Sequence, residues 1–127
     1  MAVRHDENVL AVGLCDDESH THDTINTMLL AYSEINDIRF NIVHYYSAQE
    51  LLTADDKLDF LLLDIDMPEM DGIEAASRLR KKGVEYKIVM LTGKIERFKE
   101  AFEISAFRFV SKPINVKELY RAIDDVR

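Results

Sequence analysis

This chain of 127 residues predicts an α/β architecture: a five-stranded parallel sheet with helices on both faces. Three observations carry the prediction. Five short apolar runs recur along the chain, longer segments with helical spacing separate them, and helix-entry signals mark where several of those segments begin. An alternating order of this kind implies a parallel sheet, because parallel neighbours need crossover connections that place helices over the sheet.

The elements follow in order. Residues 9–14 (VLAVGL) form the first strand, and Ile25, Met28, Leu29 and Tyr32 share one face of the helix after it. The second strand is 40–45 (FNIVHY). Ser47 then stands three residues before Glu50, a pairing able to satisfy the orphan amides of a first helical turn. The third strand, 60–63 (FLLL), is wholly apolar, as a strand buried on both faces must be. Asp71 before Glu74 opens the next helix, with Ile73, Ala76 and Leu79 as its apolar stripe. Lys81 and Lys82 followed by Gly83 supply cations and a stop signal at its end. The fourth strand is 88–91 (IVML), followed by a segment with Phe98, Ala101 and Phe102 at helical spacing. The fifth strand is 107–110 (FRFV), and Asn115 before Glu118 opens the last helix.

Composition narrows the class. The length suits one domain, residues 1–127, with no second domain for output. With 16 Lys and Arg against 24 Asp and Glu, the net charge of −8 argues against direct nucleic-acid binding, which needs clustered cations. One cysteine, Cys15, excludes an intrachain disulfide framework and suits a reducing compartment. No apolar run approaches the roughly 20 residues that span a bilayer, and the N-terminal MAVRHDEN has no signal-like apolar stretch. The expectation is a cytoplasmic protein with no membrane contact.

Unusual polar residues collect where the strands end. Asp16 and Asp17 follow the first run, Asp64 the third and Thr92 the fourth, while Lys112 lies just past the fifth. The carboxyl ends of parallel strands share one edge, where ligands bind at the switch in strand order. Two carboxylates about 5 Å apart repel by roughly 3 kcal/mol at an effective dielectric near 20. Three acids therefore need compensation, and one ammonium with one divalent cation balances them. An all-oxygen site of this kind suits Mg²⁺, or Mn²⁺, shared with phosphate oxygens. A cation, a lysine and a hydroxyl around a carboxylate suit phosphoryl transfer, where positioning and charge neutralisation supply most of the catalysis. Asp64 is the candidate nucleophile.

The acid pair Asp16-Asp17, the stretch 64–72 (DIDMPEMDG), Thr92-Gly93 and Ser111-Lys112-Pro113 together resemble the receiver domain of two-component response regulators, in order along essentially the whole chain. The resemblance implies a doubly wound, flavodoxin-like fold with strand order 2-1-3-4-5. It implies that Asp64 is the phosphoacceptor, that Asp16 and Asp17 bind the metal with Asp64, and that the backbone carbonyl of Asp66 completes the metal site. Thr92 and Lys112 match the groups that hold the phosphoryl oxygens. Phe109 matches the switch position and Pro113 the residue in a cis bond. The implied partners are a sensor histidine kinase, an output domain absent from this chain, and a second copy through the surface of the last two helices and the last strand. The implied role is signalling rather than enzymatic turnover, with phosphorylation from small donors and slow self-dephosphorylation. The segment 106–114 (AFRFVSKPI) resembles receivers joined to LytTR-type DNA-binding domains.

Two departures stand out. Phe109 has no hydroxyl where Tyr is frequent, so its inward packing rests on apolar burial. Asp66 is acidic, and Lys94 lies two residues after Thr92; the pair is expected to close the site mouth and slow water's approach. Other residues have plainer readings. Asp71 is a helix cap, Cys15 a small buried hydrophobe, and His44 a strand residue. His20 and His22 point apart on one helix and lie beside an oxygen-rich site. The mixed charges that include Arg97, Lys99 and Glu100 form a solvated face or a partner surface. Two other functions fit part of the pattern. Asp64 and Asp66 resemble the nucleophile and acid/base of haloacid-dehalogenase-type phosphatases, although that motif usually follows a first strand. A receiver-like interaction module without phosphorylation is the third reading.

Overall fold

The computed structural model describes residues 8–103 and 106–127, without the side chains of Ile95 and Phe102. The expected helical contact of Phe102 lies outside the described residues, as does the polar start at residues 1–7. Among the described residues there are five strands: β1 (Val9–Cys15), β2 (Arg39–Tyr45), β3 (Phe60–Asp64), β4 (Lys87–Thr92) and β5 (Arg108–Ser111). They pair in parallel in the order β2-β1-β3-β4-β5, as the resemblance implies. Between and after them run α1 (Ser19–Asn36), α2 (Ala48–Thr53), α3 (Gly72–Lys81), α4 (Phe98–Glu103) and α5 (Val116–Val126), and a 3₁₀ turn, Ile95–Arg97, leads into α4.

Strand periodicity sorts the core into two layers. Leu61, Leu63, Ile88 and Met90 face one side with Ala75, Ala76 and Leu79 of α3 and Ala101 of α4. Phe60, Leu62, Val89 and Leu91 face the other with Ile25, Leu29 and Tyr32 of α1 and Leu119, Ala122 and Ile123 of α5. All five residues of β3 are buried, which explains why no polar residue interrupts the strand before Asp64.

The entry signals form in one direction only. Ser47, Asp71 and Asn115 accept from the amides of Glu50, Glu74 and Glu118 respectively. The reciprocal half of the box is absent at each site. Glu50 takes the amide of Tyr46, Glu74 pairs with Arg78, and Glu118 accepts from the amide and hydroxyl of Ser111. A carboxylate chooses the nearest strong donor, and at α5 that choice ties the helix to the end of β5 beside Lys112. Gly83 ends α3 at φ 90°, with its amide on the Arg80 carbonyl and the Val84 amide on that of Leu79. Only a residue without Cβ enters that conformation freely.

Candidate functional site

β1 sends its continuation to β2 on one side while β3 pairs on the other, so a crevice opens at the carboxyl ends of β1 and β3. Asp16, Asp17 and Asp64 stand there. Asp64 ends β3 and is 1% exposed, and Asp16 is fully buried. Lys112 reaches both from past the end of β5, with Nζ 2.8 Å from Asp16 Oδ2 and 3.2 Å from Asp64 Oδ1. The backbone holds Lys112 in place through its amide, which donates to the Thr92 carbonyl at 2.9 Å. The Lys112–Pro113 bond is cis, as the resemblance implies.

One ammonium does not neutralise this crevice. Burial pushes the Asp64 carboxyl up to about 7, the Asp16 charge adds to the rise, and Lys112 opposes it. For Lys112, burial acts to lower the pKa, but Asp16 and Asp64 outweigh it and hold the ammonium above its ordinary value. Cys15, buried beneath the acids, is pushed up to about 12 by burial and by Asp16 and Asp64. A neutral thiol between Ser47 and Met67 is a packing group, in keeping with its reading from sequence.

The acids offer a cation what it needs. Asp16, Asp17 and Glu18 bring carboxylate oxygens within 4.8 Å of one another, beside buried Asp64. This hard, all-oxygen donor set fits Mg²⁺ or Mn²⁺ and offers no soft ligand. Glu18 was not legible as a member from sequence. Its amide donates to Asp16 Oδ1 at 2.9 Å, and its Oε1 stands 3.9 Å from Lys112 Nζ.

Two further residues join the site unannounced. His22 is buried, its Nε2–H donates to the Asp16 carbonyl at 2.8 Å, and its Nδ1 is hydrogen-bonded to His44 Nδ1 at 2.7 Å. His22 thus steadies the acid loop from behind while His20 remains exposed. Arg97, read from sequence as part of a solvated face or a partner surface, folds onto the loop after β3. Its guanidinium lies against Asp71 at 2.8 Å, Asp66 at 3.5 Å and Glu100 at 2.9 Å. A charge run in sequence does not show that a turn before α4 folds one of its members inward.

The Asp66 carboxylate is correspondingly occupied. Its Oδ2 accepts from Thr92 Oγ1 at 3.2 Å, and Lys94 Nζ lies 3.6 Å from Oδ1. The expected Asp66–Lys94 pair is therefore present, with Arg97 as a third member. Asp71 caps α3 as read from sequence. Burial alone would raise its carboxyl, but the hydrogen bonds from Arg97 and the Glu74 amide prevail and hold it low. Phe109 stacks on Phe98 at 4.4 Å and joins the core layer of α2 and α3.

Gly72, a weak turn signal in the sequence, has a firm physical reason. A Cβ there would stand 2.1 Å from the Asp64 carbonyl oxygen, because the entry of α3 passes directly over the end of β3. Its amide donates to the Ile65 carbonyl at 2.8 Å. The stretch from Asp64 to Gly72 is thus a loop that leaves β3, turns through Glu69 at φ 68° and returns against its own start.

Comparison with known proteins agrees with this geometry. The family model for the response regulator receiver domain matches residues 12–124. Two-component response regulator 24 of Arabidopsis thaliana is 33% identical over 81% of this chain and 74% of its own length. The chemotaxis protein CheY of Halobacterium salinarum is 32% identical over 89% of this chain and 92% of its own. Other curated relatives are longer, the match covering between 15% and 32% of their length. The fold is shared with the response regulator protein TrrA of Thermotoga maritima, at 24% identity and TM-score 0.81 over 93% of this chain and 99% of that one. The phosphatase alternative finds no support, and its proposed acid/base, Asp66, is engaged with Thr92, Lys94 and Arg97. By sequence and fold alike, the chain belongs to the response regulator receiver domain family, the phosphoacceptor switches of two-component signalling.

Proposed function

We propose that Asp64 accepts the phosphoryl group, from the phosphohistidine of a sensor histidine kinase or from a small acyl phosphate. The observation that carries this reading is the buried Asp64 at the switch point, sharing the Lys112 ammonium with Asp16. Asp16 and Asp17, with Asp64 and the Asp66 carbonyl, would hold Mg²⁺ or Mn²⁺. When bound, the cation supplies positive charge to the phosphoryl oxygens and favours the ionised carboxylate. An Asp64 oxygen attacks phosphorus, the O–P bond forms, the donor's P–N or P–O bond breaks, and the electron pair leaves with the imidazole or carboxylate. Lys112 is placed to balance the oxygen charge that the transfer brings against Asp64, and Thr92 stands at the neighbouring strand end to bond a phosphoryl oxygen.

The consequence is a shift between two packings. Thr92 moves toward the phosphoryl group, Phe109 follows, and the face built from α4, β5 and α5 changes. That face would address an output region, including a DNA-binding one of LytTR type, or a second copy of the chain. Absence of a membrane-length apolar helix among the described residues fits cytoplasmic signalling. Incubation with acetyl phosphate, read by intact mass, tests the proposal. A single-phosphate gain that needs Mg²⁺ and is lost in Asp64→Asn is expected. A folded wild-type chain that gains no mass points instead to an interaction module, and steady release of phosphate without modification to a hydrolase.

A further inference from the structure

Thr92 has one hydroxyl proton, and in this structure Asp66 holds it. The hydroxyl oxygen meanwhile accepts from the Lys94 amide at 3.0 Å. An acid in this position is costly for phosphoryl transfer, because its charge faces an incoming polyanion. Its compensation comes from two cations of unequal quality. Both approach Asp66 Oδ1 to similar distances, Lys94 Nζ to 3.6 Å and Arg97 Nη1 to 3.5 Å, but Lys94 is 58% exposed along its side chain while Arg97 is 22% exposed and held besides on Asp71 and Glu100. Glu100 receives both Nε and Nη2, and Asp71, the cap of α3, receives Nη2. The side chain that steadies Asp66 is thus anchored to α3 and α4 together.

Resting on the phosphoacceptor reading of Asp64, we propose that Arg97 is a positioning residue for the phosphoryl transfer: it neutralises and pins the Asp66 carboxylate, making an acid beside Thr92 compatible with anion entry and fixing where Thr92 rests. Phosphorylation draws the Thr92 proton to a phosphoryl oxygen, and Asp66 then relies on Arg97 and Lys94. Phe98, the residue after Arg97, stacks on Phe109, so a change in the hold on Asp66 reaches the switch residue by a short path. A lone lysine at position 97 offers a point charge that cannot engage Asp66 and Asp71 through separate nitrogens, so Arg97→Lys is expected to recover only part of the function.

The test is a double-mutant cycle. Phosphorylation by acetyl phosphate with Mg²⁺ is timed by mass for the wild type, Arg97→Ala, Asp66→Asn and the double variant. Arg97→Ala is expected to be about fivefold slower at low salt, with the defect shrinking at high salt. Adding Asp66→Asn is expected to restore the rate, which a merely loosened fold would not do. An Arg97→Ala rate equal to the wild type, or a double variant no faster than Arg97→Ala, overturns the proposal. The same cycle on urea unfolding without any phosphodonor reads the Arg97–Asp66 contact directly, and no coupling there overturns it independently of phosphorylation. A wild type that takes no phosphate while the unfolding cycle shows coupling removes the phosphoacceptor reading, and with it the role assigned to Arg97.

Discussion

Asp64→Asn should stabilise the metal-free chain, and by an amount that grows with pH. Burial and the charge of Asp16 raise the Asp64 carboxyl from its ordinary 3.8 to about 7. Between those values the folded chain keeps a proton that the unfolded chain releases. The stability it confers is therefore complete below the unfolded value and is lost as pH rises through the folded one. The gap of about three pH units corresponds to about 4 kcal/mol once both states are ionised. Between about pH 5 and about pH 8, somewhat more than half of this falls due. Asn keeps the shape and an oxygen for Lys112 but carries no proton to lose. Urea denaturation with a chelator present should show the variant's advantage widening by about 1 M in midpoint over that range, for a slope near 2 kcal/mol/M. Millimolar Mg²⁺ at the higher pH should narrow it by stabilising the ionised wild type. A wild type and variant that keep a constant separation across pH would refute the reasoning, since the buried charge would then cost nothing.

Three further outcomes are expected. Lys112→Met leaves Asp16 and Asp64 without their shared cation and should cost about 3 kcal/mol near pH 8 in urea denaturation, most of it regained when Asp64→Asn is added. Gly72→Ala forces the α3 entry off the Asp64 carbonyl and should cost about 3 kcal/mol in unfolding free energy, with slower phosphorylation because the acceptor itself is displaced. Lys94→Ala removes the exposed partner of Asp66 and should shorten the half-life of the phosphorylated chain by a few-fold, measured by mass after donor removal; an unchanged half-life would mean that Lys94 does not guard the site mouth.

Much of the fold was legible because it depends on period and punctuation. Unbroken apolar runs at 60–63 and 88–91 reveal strands buried on two faces, and Ser47, Asp71, Asn115 and Gly83 mark helix ends by local hydrogen bonding alone. The site acids and Lys112 were legible for the same reason: each adjoins a strand end, and parallel strands deliver their ends to one edge. Side-chain choice among competing partners was not. Glu118 bonds Ser111 instead of closing its own cap, His22 turns to the Asp16 carbonyl, and Arg97 folds onto Asp66 and Asp71. Each of those choices is settled by which polar group another segment brings within about 3 Å, and hydrogen bonds fall away steeply beyond that distance. Gly72 makes the point most simply: its sequence neighbours suggest a turn, but the reason for glycine is the Asp64 carbonyl that β3 places against it. The sequence by itself determined the alternation and the chemistry available at the sheet edge; packing of the loops after β1, β3 and β4 decided which charges compensate which, because that depends on distances between segments far apart in the chain.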